Sequence, residues 1–246
     1  MTPRLELDAL AAGYGGSAVV RDLSLDVAAG QVVALLGANG AGKTTTLLTV
    51  SGLLQALAGD VRLDGRSILG RAPDRLARDG LCHVPDDRGL IPGLTVSEHL
   101  DLVRAGRAER AQVDEWFPAL APLGARRSGL LSGGEQQMLA LALALVRHPR
   151  VLLIDEMTMG LAPIVAGSLI PVIRRIADEE GCAVLVVEQH ADLVLTVADR
   201  AVLLVHGEVA LSGTAEAVRR DHDAVVAGYL GSAAGGASAP DPSTGT

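Results

Sequence analysis

Apolar and polar positions along the chain fall into short, punctuated blocks. Leu5–Leu10 alternates, which predicts a strand with one exposed face, and Tyr14-Gly15-Gly16 follows as a turn. Residues 18–27 read as two short strand-like pieces. Gln31–Leu36 is a short buried strand that leads into a glycine-rich loop and a helix to about Ser51-Gly52. Asp60–Gly65 and Leu81–Pro85 are further strands. Val151–Ile154, Ala183–Val187 and Ala201–Val205 are apolar throughout, as expected of parallel strands buried on both faces. Leu139–Val146 is apolar at helical length and predicts a core helix. Between Asp86 and about Leu130 the pattern turns helical and more charged, broken by Pro92, Pro118 and Pro122, which predicts a helical insertion. Residues 231–246 are small and polar, with no core material, and predict a flexible tail. The alternation of strands and helices predicts a mostly parallel α/β sheet.

A chain of 246 residues can bury a sizeable core. Its composition is 49% hydrophobic, yet no apolar run approaches the ~20 residues needed to cross a bilayer. Met1–Asp8 carries acidic residues and no apolar segment, so no secretory signal is expected there. A net charge of −8 argues against nucleic acid as a main partner and against adsorption to anionic lipid. The two cysteines, Cys82 and Cys182, form neither a disulfide framework nor a metal site and read as buried core thiols.

The basic residues change the picture most. Lys43 is the only lysine against twenty arginines. It sits in Gly37-Ala38-Asn39-Gly40-Ala41-Gly42-Lys43-Thr44, which matches G-x-x-x-x-G-K-[ST] between a strand and a helix. Such a loop turns successive N–H groups inward around a phosphate, and the helix opened by Thr44, Thr45 and Thr46 adds its positive end. A compact ammonium suits the β- and γ-phosphates where a broad guanidinium does not. The Thr44 hydroxyl is placed to ligate Mg²⁺. The loop points to ATP or GTP.

Two more stretches follow in order. Ser132-Gly133-Gly134-Glu135 is a capping box that opens a helix with two bare glycine amides. Val151–Glu156 is a buried strand ending in Asp155 and Glu156, a place where a phosphate-handling protein holds a metal and polarises water.

Together, the P-loop, the Ser132–Gln137 signature and the Asp155-Glu156 strand end resemble the ATP-binding subunits of ABC transporters, over about residues 5–230. The resemblance implies a P-loop NTPase fold with a RecA-like core, N-terminal antiparallel strands and a helical subdomain at about 86–130. It implies ATP and Mg²⁺ as cofactors. Asp155 would then hold the metal, and Glu156 would be the general base. Ser132, Gly133 and Gly134 would contact ATP held by a second ATPase subunit. Tyr14 matches the adenine-stacking aromatic. Asp86 stands where Gln is common, as γ-phosphate sensor and metal-capable ligand, and Gln189 stands where relatives carry His, with His190 next to it.

Gln136-Gln137-Met138-Leu139, Gly160-Leu161-Ala162-Pro163 and Val187-Glu188-Gln189 narrow the resemblance to the branched-chain amino acid importers, in their shorter ATPase subunit. Importers of urea and short-chain amides share much of this pattern. In such a system the chain lies on the cytoplasmic face of the membrane, attached to integral permease subunits and served indirectly by an extracytoplasmic substrate-binding protein. The insertion would dock a cytoplasmic helix of the permease. A non-transport ABC ATPase is the alternative, but this chain has neither a long coiled-coil insertion nor a second cassette.

Overall fold

The structure is a computed structural model that describes residues 3–189 and 191–221. The expected tail at 231–246, and His190, lie outside those residues. The chain begins with β1 (Pro3–Tyr14), β2 (Ser17–Ala28) and β3 (Val32–Leu36), followed by α1 (Lys43–Val50). Then come β4 (Ala56–Leu63), β5 (Arg66–Ser67), α2 (Pro73–Arg78) and β6 (Leu81–Val84). α3 (Val96–Leu102) and α4 (Arg107–Trp116) precede two 3₁₀ turns at Ala121–Leu123 and Ser128–Leu130. The rest comprises α5 (Gly133–Leu145), β7 (Val151–Asp155), α6 (Pro163–Glu180), β8 (Ala183–Glu188), α7 (Ala191–Val194), β9 (Arg200–Val205) and β10 (Glu208–Thr214).

These strands form two sheets. One is antiparallel, in the order β2-β1-β4-β5. The other runs β10-β9-β3-β8-β7-β6, parallel except for the edge strand β10. The fold is therefore α/β, with a mostly parallel sheet and N-terminal antiparallel strands.

The all-apolar strands are sandwiched, and side chains alternate across each one. On β3, Val32, Ala34 and Leu36 face the cluster built by α3, α4, α5 and α6, while Val33 and Leu35 face α1 and the antiparallel sheet. On β7, Leu152 and Ile154 face the first cluster, and Val151 and Leu153 the second. Arg175 of α6 stacks 4.2 Å from the centre of the Trp116 ring, tying α4 to this helical layer.

Three expectations need adjustment. Residues 17–28 form one strand rather than two pieces, and β1 extends well past Leu10. Both strands carry irregular register and left-handed residues, Ala9 (φ 47°) and Asp22 (φ 49°). These bulges break the alternation that marks a strand in sequence. Cys182 is buried, but Cys82 is only partly so. Burial pushes the Cys182 thiol up to about 12.

Leu35 is fully buried between the layers. Leu35→Ala should cost about 2–5 kcal/mol in urea denaturation, whereas Leu57→Ala, at a 42% exposed position, should stay within about 0.5 kcal/mol.

Candidate active site

After β3 the chain turns tightly through Gly37–Gly42 into α1. Two glycines are required by close approach. A Cβ on Gly37 would lie 2.6 Å from the Leu204 carbonyl oxygen, and one on Gly42 would lie 2.4 Å from Cγ2 of Val20. Gly42 also has φ 104°, in the left-handed half of backbone space.

Lys43 opens α1 and is 4% exposed. Its Nζ donates to the carbonyl oxygens of Gly37 (2.9 Å) and Ala38 (3.2 Å) and lies 3.1 Å from Glu156 Oε1. The loop thus folds back over its own ammonium, and a carboxylate from β7's end closes the arrangement. A recess of about 220 Å³ opens here, lined by Val19, Asn39, Gly40, Gly42, Lys43, Thr44, Thr45 and Glu156. Ala41 packs into the core beneath it, and its N–H donates to Ala38 (3.1 Å).

Asp155 ends β7 at 1% exposure, and its Oδ1 has no hydrogen-bond partner. Burial is the main force raising its carboxyl from 3.8 to about 6; Asp86 and Glu156 add repulsion, while the Thr44 hydroxyl and Lys43 oppose the shift. Glu156 follows with φ 43°, its N–H donating to Val187 (3.0 Å). Asp86 is exposed after β6, and its Oδ1 accepts the Asp87 N–H at 2.9 Å.

A hydroxyl and an orphaned buried carboxylate oxygen are hard donors that fit Mg²⁺. Among the described residues no three His, Cys, Asp or Glu side chains converge as a metal group. Further oxygens would therefore have to come from a bound ligand or water.

The other sequence-selected residues stand apart from this recess. Tyr14 is 54% exposed at the end of β1. Gln189 is exposed just past β8. Ser132 caps α5: its Oγ accepts the Glu135 N–H (3.3 Å), and Glu135 Oε2 accepts the Ser132 N–H (2.7 Å). Gly134 lies against α6, where a Cβ would be 2.5 Å from Val165 Cγ1. Ser132, Gly133 and Gly134 are absent from the recess lining.

Three contributions were not foreseen from sequence. Val19, on the antiparallel sheet, walls the recess. Arg88 binds Gln136 and Gln137 at the start of α5. Glu188, 1% exposed, accepts both the Thr158 N–H and its hydroxyl at 2.9 Å, anchoring the loop just past Glu156. A carboxylate closing the apolar run Val184–Val187 was the available signal for Glu188; Val19 gave none.

Residues 20–159 match the family model described as ABC transporter. The chain is 37% identical over 222 residues to the high-affinity branched-chain amino acid transport ATP-binding protein BraG of Pseudomonas aeruginosa, covering 87% of this chain and 94% of that one. It is 36% identical to the probable branched-chain amino acid transport ATP-binding protein LivF of Archaeoglobus fulgidus, covering 84% and 90%. A solved nucleotide-free ATP-binding cassette from an ABC transporter superposes with a TM-score of 0.81 at 22% identity, over 92% of this chain and 98% of that one, a likeness of fold.

Folded Asp155 keeps its proton to about pH 6, and the unfolded chain only to 3.8. Between those values the folded state binds more protons, so this group's contribution to stability declines as pH rises through the window. Asp155→Asn should raise the melting temperature of the ligand-free protein at pH 7 by about 2–4 °C. The gain should vanish near pH 4. Scanning fluorimetry across pH tests this, and equal melting at pH 7 contradicts it. Gly42→Ala should weaken binding of a fluorescent ATP analogue by at least about tenfold, since the new methyl must displace Val20.

Proposed function

This chain belongs to the ABC transporter family and is an ABC-type ATPase, and on that premise we propose that it energises an importer of branched-chain amino acids. It would be the shorter of two paired ATPase subunits, held on the cytoplasmic face of the membrane by permease subunits. Among the described residues no helix is long and apolar enough to cross a membrane. The observation that carries the mechanism is the contact of Lys43 with Glu156 at the mouth of the glycine-walled recess.

ATP would exchange partners with that ammonium. Its β- and γ-phosphates take the place of Glu156 and the two loop carbonyls on Lys43, while N–H groups of Asn39–Thr45 and the N-terminus of α1 line the phosphate chain. Tyr14 would stack on adenine. Thr44 and Asp155, with Asp86 nearby, would hold Mg²⁺, which supplies charge neutralisation on the phosphates when bound.

The exchange frees the Glu156 carboxylate. As a water oxygen attacks the γ-phosphorus, Glu156 takes the water's proton, and the bond to the bridging oxygen of ADP breaks. The Gln189 amide donates to a γ-phosphate oxygen, without titrating near neutral pH as an imidazole would. Ser132, Gly133 and Gly134 would serve the ATP held by the opposite subunit, consistent with their absence from this chain's own recess.

Glu156→Gln should retain ATP binding and lower hydrolysis in the assembled complex by about 10²–10⁴-fold. Full turnover would remove Glu156 from the base role. Lys43→Arg keeps the charge but not the compact shape, and should abolish both ATP binding and transport. For the cargo, deletion of the gene should lower cellular uptake of labelled leucine, isoleucine and valine, with rescue by the wild type but not by Glu156→Gln. Loss of urea or short-amide uptake instead would reassign the importer.

A further inference from the structure

Arg88 belongs to neither half of the site described above, yet it joins them. It lies two residues beyond Asp86, in left-handed backbone (φ 69°) that non-glycine residues seldom adopt. Its N–H donates to Pro85 (2.9 Å), closing a turn directly off β6. The Asp86 carboxylate accepts the Asp87 N–H, and the Asp87 carboxylate accepts the Gly89 N–H (3.0 Å). Residues 85–89 therefore form a self-bonded unit in which a displacement of Asp86 carries Arg88 with it.

The guanidinium of Arg88 reaches the first turns of α5. Nη1 donates to Gln136 Oε1 at 2.7 Å, and Nε donates to Gln137 Oε1 at 3.3 Å. Nη2 lies 3.4 Å from where a Cβ of Gly133 would stand, so the group also packs beside the glycine that follows the helix cap. Gln136 extends the connection, donating to Ser128 (3.0 Å). Gln137 is 3% exposed, and its Nε2 has no partner, so Arg88 supplies the only hydrogen bond of its side chain among the described residues. Hydrogen bonds to two adjacent side chains need the planar, multi-donor fork of arginine, which the point charge of lysine lacks.

We infer that Arg88 is a positioning residue that locks the Asp86 loop to the Ser132–Gly134 helix end, so that nucleotide contact at one ATP site orients the surface offered to the other. This rests on the paired-subunit arrangement proposed above. The Ser132–Glu135 capping box holds the end of α5 as a rigid piece, so a pull at Gln136 and Gln137 turns the whole phosphate-facing end. Loss of Arg88 leaves each site able to bind ATP, but uncouples the two.

The test compares wild type, Arg88→Ala, Arg88→Lys and Gln136→Leu. Each is measured for ATP affinity as an isolated full-length subunit and for the ATP dependence of hydrolysis in the assembled transporter, below the melting temperature of every variant. Wild type should show a Hill coefficient approaching about 2, the number of sites. Both Arg88 variants should fall toward about 1, with isolated-subunit affinity within about twofold of wild type. Gln136→Leu, which keeps Arg88 but removes its shortest bond, should fall between and decides the matter if Arg88→Ala does not fold. A merely structural arginine would lower the melting temperature and leave the Hill coefficient intact, and that outcome overturns the proposal. A wild-type coefficient near 1 also overturns it, and identifies the paired-site premise as the part that failed.

Discussion

One buried ammonium governs the centre of this protein. Lys43 is almost wholly removed from water, and an unpaired charge there would cost several kcal/mol. Its three oxygen partners come from the loop after β3 and from the end of β7. Those strands are not neighbours: β8 lies between them, paired in parallel with each. Parallel pairing aligns the C-terminal ends of all three strands, so a loop and a carboxylate distant in sequence meet at one edge. This strand order turns a glycine loop into a charged crevice.

The second sheet takes part in that crevice. β2 brings Val20 against Gly42 and Val19 into the recess wall. On the other flank β9 pairs with β3 and sets the Leu204 carbonyl so near Gly37 that a side chain could not fit. The phosphate loop is thus confined by backbone and by β-branched side chains, which yield little. Its glycines allow the turn, and the packing around them selects one shape for it.

Legibility in the sequence follows the range of the forces involved. The P-loop, the Ser132–Glu135 cap and the apolar strand ending in Asp155-Glu156 are local devices, and each is written within a few adjacent residues. The sandwiched strands were visible because burial on both faces leaves an unbroken apolar run. β1 and β2 were harder: irregular pairing and left-handed residues at Ala9 and Asp22 interrupt their alternation. Val19, Arg88 and Glu188 act only through partners far away in the chain. Arg88 meets Gln136 across 48 positions, and Glu188 meets Thr158 across 30. The carboxylate that closes the apolar run Val184–Val187 marks Glu188, but no local pattern names the partners of such residues.

Glu156 illustrates how the protein stabilises a residue in awkward backbone. Its left-handed φ of 43° costs of order 1–3 kcal/mol for a side chain with a Cβ. An ordinary extended residue here would continue β7 and direct its carboxylate along the sheet. The left-handed turn ends the strand and sets Glu156 over the recess beside Lys43. The surrounding bonds over-determine this turn. The Glu156 N–H is held by Val187, and Thr158 two residues on is held twice by Glu188. Both anchors come from the end of β8, the strand that leads directly to Gln189. The strand that leads to Gln189 therefore also fixes the loop that bears Glu156. These three bonds tie the turn after β7 to the end of β8.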